Sequence, residues 1–352
     1  MKHQTTRYGE IPFYKIGTFG NTADAFISKK LFLEYKTKYS FPKKGDILIS
    51  ASGTIGRAVI YDGKPAYFQD SNIVWIDNDE TLVKNDFLFY AYSNVKWNTE
   101  HTTILRLYND NFRNTLIPLP PLNEQSAIAN ILSALDRYLC ALDALILKKE
   151  GVKKALSFEL LSQRKRLKGF NQAWQKVRLG DIANYLTSNL SAKQITQQGK
   201  IKVYDVNNFI GYTDTTFISD KPYISIVKDG SVGRVRILPP KTNILSTMGA
   251  LIANHRTTTE FLFYLLSNFD FKNFTSGSII PHIYFKDYKE KTIFLPPLNE
   301  QSAIANILSG LDNEITSLKN KKRQFENIKK ALNHDLMSAK IRVLEKSVLQ
   351  QK

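Results

Sequence analysis

One fifteen-residue sequence, LPPLNEQSAIANILS, occurs twice in this chain, at residues 119–133 and again at residues 295–309. The two copies are identical and begin 176 residues apart, which is half of the 352-residue length. Weaker similarity surrounds them, because residues 152–162 resemble residues 328–338 and residues 52–60 resemble residues 229–237. Repeats of this length are whole domains rather than solenoid units, so we predict a chain of two equivalent halves.

Each copy of the repeated block predicts the start of a long helix. Pro120 and Pro121 end the preceding segment, Asn123 is a candidate N-cap, and Glu124 falls in the first turn, where the helix dipole favours a carboxylate. The predicted helix runs over residues 123–165 and would be about 65 Å long at about 1.5 Å per residue. The sequence QRKRLKG that closes it supplies cations and a glycine stop.

Apolar residues recur in these helices with a seven-residue period, which is typical of a coiled coil. Lys149 and Lys153 interrupt this seam in the first copy, where Val152 is a candidate substitute. Because a long amphipathic helix is not stable alone in water, we expect the two copies to pair antiparallel, as a pseudo-twofold rod with one variable domain at either end. The alternative is that the helices belong to two independent cores. The predicted spacer residues are Ile128, Leu132, Leu135, Leu139, Leu142, Ile304, Leu308, Leu311, Ile315 and Leu318.

The regions outside the blocks predict sheets and short helices. Residues 45–63 and 223–238 each read as a hairpin around a glycine turn, and residues 85–97 and 259–271 read as helical. We therefore predict an α+β chain with two mixed α/β domains and two long helices. The first domain has no counterpart of residues 174–198, so its opening segment is either truncated or lost. The predicted boundaries are domain 1 at 1–118, helix 1 at 119–168, domain 2 at 169–294, helix 2 at 295–343 and a tail at 344–352.

Charge is the first indication of a partner. The chain has 49 Lys and Arg against 32 Asp and Glu, a net charge of +17, which favours a polyanion such as nucleic acid. A basic surface in a Lys-rich proteome is the alternative. The single cysteine, Cys140, and the absence of a signal-like or membrane-spanning sequence predict a cytoplasmic protein.

The order of variable and repeated regions, with WQKVRLGDI at residues 174–182 and GSIIPHIYFKDY at residues 277–288, resembles the specificity (S) subunit of type I restriction-modification systems. The resemblance implies two target recognition domains, each reading half of a bipartite DNA site across a gap fixed by the helices. It also implies partners, namely two methyltransferase (M) subunits and restriction-translocase (R) subunits. S-adenosylmethionine, ATP and Mg would belong to those partners, and this chain would have neither a cofactor nor a catalytic role.

The two variable regions differ outside their glycine turns, which predicts unlike half-sites and an asymmetric target. Polar and basic side chains in the loops would read base edges or hold phosphates. The candidate DNA-binding residues are Thr54, Arg57, Thr102, Arg106, Ser231, Arg234, Ser278, His282 and Lys286.

Other functions have weaker sequence support. The LPPL sequence lacks the residues of an adenine methyltransferase motif, and the charged DYKEK sequence at residues 287–291 is weak evidence for a nuclease. The histidines and Cys140 show no metal-ligand spacing. The main alternative is a coiled-coil scaffold whose two β-rich domains bind protein and have no DNA specificity.

Overall fold

The computed structural model describes residues 4–68, 72–97 and 106–344. The chain divides into two compact units. Unit 1 is Met1–Asp143 with Lys321–Lys352, and unit 2 is Ala144–Asn320. Each unit therefore contains one mixed α/β domain and a part of both long helices.

The domain of unit 1 has two three-stranded sheets. Its elements are β1 (Ile11–Tyr14), β2 (Ala25–Ile27), α1 (Lys29–Lys38), β3 (Ile47–Ser50), β4 (Ala58–Ile60), β5 (Tyr67–Phe68), β6 (Ile73–Ile76), α2 (Asn85–Tyr92) and α3 (Asn109–Arg113). One sheet has the order β2-β1-β5, with β1 parallel to β5, and the other has the antiparallel order β4-β3-β6. Strand β3 is buried on both faces, because Leu48 packs towards Phe19 while Ile47 and Ile49 pack towards α2.

The domain of unit 2 repeats this plan with added strands. Its strands are β7 (Gln175–Arg178), β8 (Ala183–Thr187), β9 (Ile201–Tyr204), β10 (Phe209–Thr213), β11 (Tyr223–Val227), β12 (Val235–Leu238), β13 (Thr242–Ile244), β14 (Met248–Ala253), β15 (Thr275–Ser276), β16 (His282–Ile283) and β17 (Thr292–Leu295). Its short helices are α5 (Thr259–Ser267) and α6 (Phe285–Tyr288).

Two sheets of unit 2 match those of unit 1. The order β10-β9-β13 has the same antiparallel and parallel pairs as β2-β1-β5, and β12-β11-β14 matches β4-β3-β6. Unit 2 also has β8 beside β14, the pair β15-β16, and β7 antiparallel to β17. The predicted hairpins and the two predicted helices are confirmed as β3–β4, β11–β12, α2 and α5.

The long helices are 40 residues each, which is about 60 Å at about 1.5 Å per residue. The first is α4 (Leu122–Leu161) and the second is α7 (Leu298–Met337). The prediction of Asn123 as N-cap is wrong, because Asn123 lies inside the first turn and its Oδ1 accepts from the Glu124 N–H at 2.9 Å. The N–H groups of Glu124 and Gln125 instead reach the carbonyl of Pro121.

The predicted glycine stop is also wrong. Helix α4 ends before Gln163, whose φ of 62° places it in the left-handed region, and Gly169 lies farther along the chain. Helix α7 ends in the same way, because Ala339 has a φ of 55°. In both cases an N–H group beyond the left-handed residue donates to a carbonyl of the last helical turn. The Lys165 N–H donates to Glu159, and the Ile341 N–H donates to Asp335. A left-handed residue thus ends each helix without glycine.

The helix segments run antiparallel within each unit. In unit 1, Glu124 pairs with Arg342 and Asp143 pairs with Lys322. Residue numbers therefore rise along α4 in the direction in which they fall along α7. In unit 2 the pairs with the same sense are Lys149–Glu314, Glu150–Lys319, Lys153–Asp312 and Arg166–Glu300.

All ten predicted spacer residues are buried or half-buried. Those that are most enclosed are Ile128, Leu132, Leu142, Ile304, Leu308 and Ile315. Val152 does not fill the gap in the seam, because it is exposed. Lys149 and Lys153 remain on the seam and pair with Glu314 and Asp312, at 2.7 and 2.5 Å.

The predicted fold class is confirmed: the chain is α+β, with two mixed domains and two long helices whose segments pair antiparallel. Among the residues that the structure describes, no helix has both the length and the apolar character that crossing a membrane requires.

Candidate nucleic-acid interface

A glycine turn joins β11 to β12 in unit 2. Gly230 and Gly233 have φ values of 82° and 80°, which favour glycine at both positions. The Gly233 N–H closes the turn by donating to the carbonyl of Val227 at 2.9 Å. Ser231 and Arg234, which lie in and just after this turn, are exposed. The turn therefore presents a hydroxyl and a guanidinium to solvent.

The hairpin β15–β16 lies against this turn. The Gly230 N–H donates to the carbonyl of Pro281 at 2.9 Å, and Asp229 forms an isolated antiparallel bridge with His282. Their side chains also meet, with 2.7 Å between His282 Nδ1 and Asp229 Oδ1. Predicted residues that are distant in sequence, Arg234 and His282, thus belong to one surface.

The rim of this surface carries both polar and apolar side chains. Ser278 and Lys286 are exposed, and Lys286 Nζ lies 5.6 Å from the ring centre of Tyr284, which is itself half exposed. Ile279 and Ile280 are exposed at the hairpin tip. A surface of this composition offers donors, a cation and apolar contacts, which together suit base edges, phosphates and thymine methyl groups.

Unit 1 has the same glycine turn between β3 and β4. Gly53 and Gly56 have φ values of 69° and 81°, and the Gly56 N–H donates to the carbonyl of Ser50 at 3.0 Å. Thr54 and Arg57 are exposed. Arg57 Nη1 donates to the carbonyl of Phe19 at 3.0 Å, so the guanidinium is anchored at one nitrogen.

A bridge in unit 1 again brings the second predicted segment to the turn. Ser52 pairs antiparallel with Arg106, and the Leu107 N–H donates to the carbonyl of Ala51 at 2.8 Å. Arg106 occupies the position that His282 has in unit 2, and it is exposed. Thr102 lies outside the described residues. Both units therefore build the same kind of surface, but with different side chains.

An aromatic ring supports the second glycine of each turn, and sequence reasoning missed both rings. A Cβ on Gly56 would lie 2.3 Å from Trp97 Nε1, and a Cβ on Gly233 would lie 2.6 Å from Phe271 Cδ2. The rings follow α2 and α5 by a few residues. Their occurrence at matching positions of the two halves is the sequence signal that could have identified them. A Cβ at either glycine would therefore collide with its ring.

Electrostatics differ between the two surfaces. In unit 2, Asp229 lies beside His282, and the pKa of the nearby Tyr185 hydroxyl is raised, chiefly by burial and then by the charge of Asp229. In unit 1 the position of Asp229 is taken by Ser52, whose hydroxyl donates to Asn72 Oδ1 at 2.7 Å. The turn of unit 1 therefore lacks this carboxylate.

The helices position each domain through three side chains that repeat. In unit 2, the Tyr264 hydroxyl donates to Asp312 Oδ2 at 2.8 Å, and Lys153 binds the other oxygen of Asp312. Burial, followed by the hydrogen bond to Asp312, raises the pKa of Tyr264.

Tyr90, Asp136 and Lys329 make the same contacts in unit 1, with 2.8 Å between the Tyr90 hydroxyl and Asp136 Oδ2. Burial, followed by the hydrogen bond to Asp136, likewise raises the pKa of Tyr90. Each glycine turn is thus carried by a domain that is held on the helices in a defined orientation.

The glutamine of the repeated block makes a further link to the domain. Gln301 Oε1 accepts from the Thr258 N–H at 3.0 Å, at the start of α5, and Gln125 Oε1 accepts from the Lys84 N–H at 2.8 Å, at the start of α2. Their Nε2 atoms donate to Pro296 and Pro120, both at 2.8 Å. The identical LNEQ sequences therefore make the same hydrogen bonds in both units.

Comparison with known proteins points to one family. The model for the type I restriction modification DNA specificity domain matches residues 1–149 and 171–327, which is most of the chain. A putative type I restriction enzyme specificity subunit of Haemophilus influenzae is 65% identical over 133 residues, which are 38% of this chain. The chain spans about a third of the length of that relative, at 34%.

Other similarities extend farther. A putative type I restriction enzyme specificity subunit of Methanocaldococcus jannaschii is 28% identical over 335 residues, covering 85% of this chain and 79% of that protein. The crystal structure of a type I restriction-modification S subunit from M. genitalium aligns with a TM-score of 0.63 and 20% identity, over 96% of this chain and 91% of that chain. At that identity the structural similarity shows the fold alone. The match to the family model shows that this chain belongs to the type I restriction modification DNA specificity domain family.

Proposed function

We propose that this chain is the non-catalytic DNA-recognition subunit of a type I restriction-modification complex and reads a bipartite, asymmetric site. The observation that carries the proposal is the repeated surface, in which a glycine turn and a second segment meet through an isolated bridge in both units. Membership of the specificity family indicates DNA as the ligand, and the net charge of +17 agrees with a polyanionic partner.

The side chains on the two surfaces are unlike, which supports two different half-sites. Unit 1 presents Thr54, Arg57 and Arg106, whereas unit 2 presents Arg234 and a His282 that is paired with Asp229. Arginine is the side chain best suited to bidentate contact with guanine, and a carboxylate can accept from the cytosine amino group. Asp229 gives unit 2 a hydrogen-bond acceptor that unit 1 does not offer. We therefore propose that the half-site read by unit 2 tolerates this carboxylate or donates a hydrogen bond to it.

We propose that residues 1–118 and 169–294 are the recognition domains, that residues 119–168 and 295–343 are the spacer helices, and that residues 344–352 are a tail. Two helices of 40 residues with paired segments are stiff enough to fix the gap between half-sites. The same helices would dock two M subunits, and R subunits would join them. S-adenosylmethionine, ATP and Mg would act in those subunits.

The test is selection of random duplex DNA by the full chain together with its cognate methyltransferase. We expect two conserved half-sites separated by a fixed gap. In the same complex, Arg57→Ala should relax one half-site and Arg234→Ala the other, each with an affinity loss of about 1–3 kcal/mol, or about 5- to 150-fold.

Lys148→Ala, an exposed cation of α4 outside both turns, is the matched control. Unchanged affinity in both arginine variants would remove the turns from the contact surface. Failure to select any bipartite motif would favour the scaffold alternative, in which the β-rich domains bind protein.

A further inference from the structure

The tip of the hairpin β15–β16 in unit 2 presents two large apolar side chains to solvent. Ile279 is 92% exposed and Ile280 is 54% exposed. They are neighbours in the five-residue loop, residues 277–281, that joins the two strands. Apolar surface that is exposed beside polar groups commonly marks a binding site, because covering it is favourable in water. The two isoleucines therefore form a small apolar tip that is suited to an apolar contact.

The loop that carries this tip is braced at both ends. Gly277 starts the loop with a φ of 92°, and a Cβ at this position would lie 2.2 Å from the carbonyl oxygen of Ile280. Pro281 ends the loop, and its carbonyl accepts from the Gly230 N–H at 2.9 Å. The side chain of Ile283, two residues farther on, is buried in the core. Because the loop is already ordered, the tip loses little conformational freedom when it enters a contact.

Hydrogen-bonding groups and cations surround the apolar tip. Ser278 and Lys286 are exposed on either side of it in the chain. The isolated bridge between Asp229 and His282 joins the base of the loop to the glycine turn, after which Arg234 is exposed. An apolar tip among cations fits a ligand whose apolar groups lie between anionic ones. Duplex DNA has this arrangement, with stacked bases between two phosphate backbones.

A protein partner fits this tip less well. A stable protein interface takes about 800 Å² from each partner, and two isoleucine side chains supply only a small part of that area. The core of a protein interface is also depleted of charged residues, whereas Arg234 and Lys286 lie on this surface. DNA-binding proteins, by contrast, insert one or two apolar side chains between base pairs and hold the adjacent phosphates with cations.

The first half of the chain has a different sequence at the tip. At the 176-residue offset of the repeated block, Thr103 and Ile104 correspond to Ile279 and Ile280. Both residues of the first half lie outside the described residues. Only the second half therefore has two adjacent isoleucines in this segment, and the sequence of the first half supplies a natural substitution, Ile279→Thr.

We propose that Ile279 and Ile280 form an apolar wedge that enters the duplex between two base pairs of the half-site bound by unit 2, partly unstacks that step and bends the DNA. The proposal rests on the DNA-recognition function proposed above. Pyrimidine–purine steps are the most easily unstacked, so the wedge selects such a step without a hydrogen bond to either base. The two isoleucines are thus specificity-determining residues that respond to the deformability of the DNA.

The test uses the full chain with its cognate methyltransferase and the duplex that this complex selects. We compare the parent with the double variant Ile279→Ala, Ile280→Ala, measuring the bend by energy transfer between labels at the two DNA ends. The double variant should bend the duplex by about 20° less and bind it about tenfold more weakly. Ile279→Thr should have a smaller effect in the same direction.

A second measurement isolates the cost of unstacking. A mismatch at the wedge step lowers that cost, so the parent complex should bind the mismatched duplex several-fold more tightly than the intact one. The double variant, which has no wedge to insert, should bind the two duplexes equally.

Phe294→Ala is the matched control, because Phe294 is also an exposed apolar residue of unit 2, at 53%, and lies in β17. It should leave the bend and the affinity unchanged. A double variant that keeps the parent's bend would overturn the wedge. So would a loss of affinity that deoxyuridine in place of thymine reproduces in the parent, because the tip would then read thymine methyl groups.

A double variant that no longer binds the methyltransferase would show that the tip docks a protein, which also overturns the wedge. Failure of the parent complex to select any duplex would contradict the DNA-recognition function itself. Selection of a bipartite site with no change in the double variant would leave that function intact and contradict the wedge alone.

Discussion

Glu124 and Glu300 are the same residue of the same repeated block, yet the two units surround them differently. Each receives two hydrogen bonds from an arginine beyond the end of the partner helix, Arg342 or Arg166. The Arg166 side chain is 26% exposed and the Arg342 side chain is 46% exposed. Glu300 also accepts from the indole N–H of Trp174 at 2.9 Å. Identical sequence therefore fixes the contact, whereas a neighbouring segment fixes its environment.

The difference separates two sources of stability in this repeated chain. The helix starts, the Tyr–Asp–Lys contacts and the glutamine links are shared by both units, so they do not depend on residues 174–182. The closing strand β7, the strand β8 and the indole of Trp174 occur in unit 2 only, within the described residues. Matched substitutions in the two units can measure each source separately.

The largest expected difference comes from removing the buried glutamate. Glu300→Ala should lower the stability of unit 2 by about 3 kcal/mol, because a buried partner of a charge is lost and the indole N–H is left without its acceptor. Glu124→Ala should cause a smaller loss in unit 1, where the remaining arginine is more exposed to water. Amide exchange of residues 175–178 and of residues 47–50 would follow the two units separately.

Because both variants remove the same carboxylate from the same helical turn, they lose the same interaction with the helix dipole. Equal losses in the two units would contradict the view that residues 174–182 set the environment of Glu300.

An intermediate effect, equal in both units, is expected from the shared tyrosines. Tyr264→Phe and Tyr90→Phe each remove one hydrogen bond to an aspartate that is also held by a lysine, and each should cost about 1.5–3 kcal/mol. The measurement is urea unfolding of each variant, followed by unit-specific exchange. Asp312→Asn and Asp136→Asn are the companion variants, and clearly unequal losses for the two tyrosines would show that the contacts are not equivalent.

Local patterns in the sequence were sufficient for the elements that local interactions determine. The alternation of β-branched residues around GTIG and GSVG predicted both hairpins, and the seven-residue period predicted the burial of Leu132 and Leu308. The candidate site was predicted as sets of separate residues. Its assembly was not, because the bridges Ser52–Arg106 and Asp229–His282 join segments more than fifty residues apart, as their numbers show.

The helix ends and the charged positions on the seam could not be predicted from the sequence, for a related reason. Gln163 adopts a left-handed φ that glycine normally takes, and the later N–H of Lys165 compensates by bonding to Glu159. Lys149 and Lys153 stay on an apolar seam because Glu314 and Asp312 of the antiparallel helix reach them. Each outcome depends on a partner that becomes adjacent only after the chain has folded.

The smallest expected effect is a pH dependence in unit 1. Hydrogen bonds from Arg342 hold the pKa of Glu124 below its ordinary value of 4.5. A carboxyl whose pKa is lower in the folded state adds stability that is fully present above the unfolded pKa and is lost as the pH falls through the folded pKa. Arg342→Gln should therefore slightly destabilise unit 1 near neutral pH, and the difference from the parent should shrink below about pH 4.5 and vanish in stronger acid. Exchange rates of amides in residues 122–143 of both proteins, corrected for intrinsic rates at each pH, would measure it. A difference that persists in strong acid would mean that Arg342 stabilises the helix end by packing its aliphatic stem rather than through its charge.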